Sequence, residues 1–266
     1  MLLKPLKLIY RHRVLLKRMC WRDISSRYRE SVLGSIWAVI NPLLMLSIYT
    51  FVFGFVLKSR WPNQGDSKVL FSLTLFAGLI VHGVFAETAN RSTTIIPENS
   101  NYVKKVVFPL EILPLTVLGS AAFHAGVSLC LLLVANVLAG TGWHWSILLL
   151  PLVIVPVLLA TAGLAWILAS LGVYLRDASQ VVTFAIALLM YLSPVFYPIT
   201  SFPERYRALL YMNPLTLPIE QVRDLVILGT NPPWQGIVAV YVVALIVMGL
   251  GLWFFERSRV GFADVV

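Results

Sequence analysis

Between Val32 and Leu57 the chain carries no charged side chain, a run of 26 residues. Just before it, Arg22–Ser31 is crowded with arginine and acid. At the α-helical rise the apolar run makes a helix about 39 Å long. The hydrocarbon core of a bilayer is about 30 Å thick, so such a helix crosses it with tilt or a kink. Asn41-Pro42 is the expected kink, because proline removes a backbone donor and crowds the preceding turn. The chain therefore enters a membrane here, from a side marked by arginine.

The rest of the composition agrees. Of 266 residues, 59% are hydrophobic and only 12% charged, with a mean hydropathy of +0.83. A soluble domain carries about twice that charge. The net charge of +9 does not point to nucleic acid, because the basic residues flank apolar runs and there set orientation. No cleavable signal peptide is expected, since the first apolar run is too long for a signal core. Cys20 precedes the first span and Cys130 lies within a later one, so no disulfide is expected between them.

Residues 1–31 hold nine Lys or Arg. At about 100° per residue, Lys4, Lys7, Arg11, Arg18 and Arg22 share one helical face, and Leu2, Leu6, Ile9, Leu16, Cys20 and Ile24 the opposite one. Arg13 interrupts the apolar stripe. This predicts an amphipathic helix in the membrane interface, basic face to anionic headgroups; a plain orientation flag is the alternative. Further spans are expected at about 69–89, 112–138, 147–175, 181–198 and 236–255, six with the first. Both termini then share one side. Fifteen Lys or Arg fall on that side and six on the other, which places the termini in the cytoplasm. Ala121/Ala125, Ala122/Gly126 and Ala165/Ala169 are spaced for close helix packing.

Two connecting segments stand out. In 90–114, Pro97 suits the first turn of a short helix, with Glu98 at its positive end and Lys104 and Lys105 near the other, stopping before Pro109. It is either a connector or a cytoplasmic docking element. Segment 194–235 holds seven prolines, is too apolar for a solvated loop and too interrupted to span. Ser201 and Glu204 form a capping-box pattern that opens one helix to about Tyr211. Pro218 opens a second that Gly229 can end. Both are expected to be re-entrant or interfacial, serving as lid or scaffold.

No phosphate-binding G-x-x-x-x-G-K-[ST] loop and no H-E-x-x-H motif is present. The four histidines and twelve acids form no clustered set, so no cofactor or metal is expected on the chain. Glu87 and Arg91 are placed to pair on one helix face. His124 reads as packing. Trp37, Phe51 and Phe55 share roughly one face of the first span, and Phe184 and Tyr191 one face of the fifth. Aromatic faces suit a sliding sugar polymer, or plain interface anchoring.

RDISSRYRESVLGSIWAVINPLL (22–44), NSNYVKKVVFPLEILP (99–114), YLRDASQ (174–180) and LSPVFYP (192–198) resemble the permease subunits of ABC-2-type polysaccharide exporters, which move O-antigen, capsule or teichoic acid chains. The similarity covers nearly the whole chain. It implies an all-α membrane protein with six transmembrane helices in 32–266, and a homodimer working with two copies of a separate ATPase that binds ATP and Mg. Residues 1–31 would be the interface helix and about 97–107 the coupling helix. Glu98, Asn99, Tyr102, Lys104, Lys105, Arg176 and Asp177 would meet the ATPase. Helices within 201–229 would form a periplasmic gate. The cargo would be a polymer on a polyprenyl diphosphate or other lipid anchor, with Arg27 and Arg29 near its phosphates. Leu110 stands where the family often has a basic residue. The resemblance implies the bacterial inner membrane as location. A lipid or drug exporter of the same type remains open, as does a membrane-embedded glycosyltransferase.

Overall fold

The computed structural model describes residues 4–29, 31–56, 61, 67–104, 108–140 and 142–265. Among them every regular element is helical. In chain order these are α1 (Lys4–Arg11), α2 (Arg13–Tyr28), α3 (Trp37–Tyr49), α4 (Lys68–Ser92), α5 (Ile95–Glu98), α6 (Ser100–Lys104), α7 (Ile112–Leu138), α8 (Leu150–Tyr174), α9 (Ala178–Leu192), α10 (Glu204–Met212), α11 (Thr216–Arg223), α12 (Trp234–Ser258) and α13 (Phe262–Val265).

Among the described residues five helical stretches are long and apolar enough to cross a membrane: Gly34–Val56, Lys68–Ser92, Ile112–Leu138, Trp145–Tyr174 and Trp234–Val265. The fifth expected span, 181–198, is shorter than predicted. Helix α9 has 15 residues and stops at Ser193, which is extended (ψ 148°). Pro194 is the cause, since the residue before a proline is driven out of the α region. Its length is about 22 Å, less than the hydrocarbon thickness.

The first span combines three helical forms. A 3-10 turn (Gly34–Ile36) precedes α3, and a π-helical segment (Thr50–Val56) follows it. The α-helix runs through Pro42, and the departure from α geometry comes at residue 50. Only Ala38 and Gly54 of this stretch are buried, so it lies on the outside of the bundle.

The core has two layers. One gathers α4, α8, α11 and the segment after it around Phe71, Leu75, Val153, Ile219 and Leu225. The other lies nearer the chain termini, around Ile96, Leu113, Trp166, Phe255 and Phe262. Lys4 meets Glu256 at 2.5 Å, so both ends of the chain share one side. Trp166 Nε1 donates to the Glu111 carbonyl (2.8 Å), and the buried Glu111 carboxylate pairs with Arg259.

Helices α8 and α12 form the most intimate seam. A Cβ on Gly163 would lie 2.3 Å from the Val247 carbonyl oxygen, and one on Gly251 would lie 2.1 Å from that of Gly163. Of the pairs expected from spacing, Ala165 and Ala169 are buried, as is Ala121, but Gly126 faces outward with nothing within 4 Å of a Cβ.

Candidate functional site: the terminal face and the outer layer

The expected single N-terminal helix is two helices broken at His12. Helix α1 is amphipathic as read. Helix α2 is not a flat interfacial helix over its second half, because its polar residues turn to the spans. Arg91 grips Asp23 with both nitrogens (2.7 and 3.0 Å), and Arg27 pairs with Glu87. These rungs step by four residues along both helices in opposite senses. Cys20 reaches the Thr116 carbonyl (3.8 Å), and Tyr28 bonds His124 Nε2 (2.8 Å), a step of eight along α2 and α7 alike. So α2 lies alongside the spans rather than across their ends. Burial alone would raise the Asp23 carboxyl, and Arg91 outweighs it, holding the group below the ordinary carboxylate value. Burial pushes the Cys20 thiol up to about 11.

The Glu87–Arg91 pair expected from spacing forms at 3.5 Å. His124 also takes Arg27 Nη1 at 3.2 Å, so it is a tied packing residue. Arg27, singled out for lipid phosphates, therefore already has a carboxylate partner, whereas Arg29 is exposed. Glu87 and His124 also close one end of a cleft of about 250 Å3 between α3, α4 and α7, whose other walls include Met45, Phe76 and Ile80.

The expected coupling helix is broken into α5 and α6. The break is Asn99, whose φ of −112° and ψ of 33° leave the helical region while its side-chain amide donates to the Ile95 carbonyl (2.8 Å). A short polar side chain competes here with the backbone for its own helix carbonyl. Lys105 and the end of the expected helix lie outside the described residues. The segment is anchored on one side and open on the other. Ile95 and Ile96 are buried, and a Cβ on Gly172 would fall 1.7 Å from the Thr93 carbonyl oxygen, so this backbone sits directly on α8. Pro97, Glu98 and Lys104 are exposed, as are Arg176 and Asp177. A cavity of about 360 Å3 joins the two sets, lined by Thr93, Pro97, Tyr174, Arg176, Ser179 and Val265. Tyr102 is half-buried, stacked on Phe108 (4.6 Å) and bonded by Arg22 (3.0 Å).

The aromatic residues singled out do not line an enclosed path within one chain. Phe51, Phe55, Phe184 and Tyr191 are all more than half exposed, and Trp37 is half-buried. Phe51 and Phe55 stack at 6.5 Å. A ladder missed in the sequence joins the first span to α9: Tyr191 to Phe196 (6.0 Å), Phe196 to Phe53 (5.6 Å) and Phe53 to Phe71 (6.2 Å). Phe53 and Phe71 lie in separate helical elements and Phe196 in the turn after α9, so no helical spacing signals it.

In the outer layer, opposite the termini, Ser201 does not cap α10. It sits in a separate 3-10 turn (Ile199–Ser201), and the extended Pro203 is the N-cap with no side-chain bond. Helix α11 passes into a π-helical turn (Asp224–Leu228) that ends on Gly229 at φ 67°, as expected for a glycine stop. Arg223 is completely buried there and was not singled out beforehand. Burial brings its guanidinium down to about 10, and lifts the Asp224 carboxyl to about 6.

The ABC-2 type transporter family model matches residues 14–227. The chain is 30% identical over 249 residues to an O-antigen export system permease protein RfbA of Klebsiella pneumoniae, covering 92% of each chain. It is 28% identical over 260 residues to the protein of that name from Myxococcus xanthus, covering 97% of each. Polysialic acid transport protein KpsM of Escherichia coli is 24% identical over 246 residues, 91% of this chain and 93% of that one.

Proposed function

Since the chain belongs to the ABC-2 type transporters, we propose that it is the membrane subunit of an ATP-driven exporter that carries lipid-linked polysaccharide out of the cytoplasm. Its relatives named for O-antigen export and polysialic acid transport support the glycan cargo. One observation carries the mechanism: the terminal face is exposed at Glu98, Lys104, Arg176 and Asp177, while the backbone beneath it is fixed to α8 at Thr93 and Gly172. A push on that face therefore reaches the spans without loss in a soft linker.

In this reading the termini are cytoplasmic in a bacterial inner membrane, α9 serves with its following turn as a sixth span, and two copies pair. Two partner ATPases bind ATP and Mg; this chain binds neither. The exposed aromatic face of the first span and α9 would line a path between the copies, where ring faces hold sugars without a fixed hydrogen-bond register. Arg29, with Arg27 if it leaves Glu87, meets the anchor phosphates.

The test is export by the reconstituted complex. Lys104→Glu with Arg176→Glu is expected to reduce co-purification of the ATPase and glycan export at least tenfold, with normal membrane insertion, as loss of several kcal/mol of charged contact implies. Unchanged export would overturn the docking assignment.

A further inference from the structure

The outer layer is two helices of opposite character. Helix α11 and the turn after it are moored on every side. Arg223 Nε donates to the Thr74 carbonyl of α4 (2.9 Å), Nη1 to the Pro194 carbonyl (2.5 Å) and to Glu220 (2.9 Å), and Nη2 to the Val195 carbonyl (2.8 Å). The Trp61 ring covers its other face at 4.5 Å. The seat for this guanidinium is Gly78, where a Cβ would lie 2.8 Å from Nη2. From the far side, Asn136 of α7 donates to the Val226 carbonyl (2.9 Å) and Ser146 to the Leu225 carbonyl (2.8 Å). Gly229 closes against the His144 ring, where a Cβ would come within 2.5 Å.

Helix α10 is moored far less: its tie to α11 among the described residues lies at its C-terminal end, where Thr216 Oγ1 donates to the Leu210 carbonyl (2.5 Å) beside Asn213. Leu210 is its one buried residue. Arg207 bonds only local groups, the Phe202 and Thr200 carbonyls and Glu204. The extended Pro203 precedes it and the extended Asn213 (ψ 122°) follows it. Asn213 is held by Ser193 (2.9 Å), at the fixed end of α9. Beside α10 is a cavity of about 270 Å3, lined by Thr200, Arg207, Tyr211, Glu220 and Leu228.

We infer that Arg223 is the positioning residue of the outer layer: it locks α11 and the turn after α9 to α4, and leaves α10 as the one helix there that swings. Five donors in a fixed planar fork match carbonyls from two different elements, which a lysine ammonium cannot do. The gate is then a single-helix lid turning about Pro203 and Asn213 over a fixed sill. This rests on the exporter reading for its purpose, not for its mechanics.

Hydrogen exchange on the permease–ATPase complex in nanodiscs tests it. Residues 204–212 are expected to exchange at least about tenfold faster than 216–228, and to be the outer segment whose exchange changes when a non-hydrolysable ATP analogue is added. Gly78→Ala, which displaces the guanidinium, and Arg223→Lys are each expected to raise exchange at 193–196 and 216–228 together and to leave 204–212 as it was. Equal exchange of both helices, or nucleotide-dependent change confined to 216–228, overturns the inference. The wild-type comparison decides even if a variant fails to accumulate, and the exchange pattern stands or falls whatever cargo is exported.

Discussion

Removing Asp23 leaves Arg91 half-buried without its bidentate acceptor. Charged hydrogen bonds of this kind are worth about 1.5–3 kcal/mol, so Asp23→Asn is expected to lower Tm in detergent by several degrees. The exchanged pair Asp23→Arg with Arg91→Asp is expected to recover part of the loss. Because the Asp23 carboxyl is held below its ordinary 3.8, its contribution is full above that value and is lost as pH falls through the folded one. Tm should hold from about pH 7 to 5 and drop below about 4, and Asp23→Asn should flatten that drop. Asp224 has the opposite sign. With its carboxyl raised to about 6, folding is favoured most at low pH and the advantage is lost as pH rises through that value. Asp224→Asn is therefore expected to raise Tm at neutral pH and to change it little near pH 4, as read in a thermal melt. The raised Cys20 thiol should resist maleimide at neutral pH while a cysteine placed at the exposed Lys104 labels fully.

At the scale of elements, the seam between α8 and α12 is set by backbone contact at Gly163 and Gly251. Gly251→Val is expected to cost about 3 kcal/mol or more in overpacking and to show as loss of monodisperse protein, whereas Gly126→Val is expected to be tolerated. Small-residue spacing pointed to α7 and α8 but not to this seam, because a glycine against a glycine on another helix leaves no periodic mark. The long spans were legible from charge-free runs, as was the Gly229 stop from the tolerance of glycine for a left-handed backbone, which it adopts. What the sequence hid is cross-helix. Nothing in the sequence singles out Arg223 or Asp23, because their partners are 149 and 68 residues away. A short helical segment within 90–114 was legible from Pro97 and its charges, but its break required knowing that Asn99 bonds Ile95.

Taken whole, the molecule is tied together at its core and presents exposed apolar and aromatic side chains at three places: the first span, α9 and α10. In the proposed function a second copy and a cargo would meet on these faces. In the proposed mechanism loads would enter at the opposite side, through the face built on Thr93 and Gly172. The most direct test places a photo-crosslinking residue at Lys104 in intact bacterial membranes. The account expects an adduct with an ATP-hydrolysing subunit whose yield changes with nucleotide. An adduct only with periplasmic proteins, or labelling of that position by an impermeant reagent added to whole cells, would contradict it.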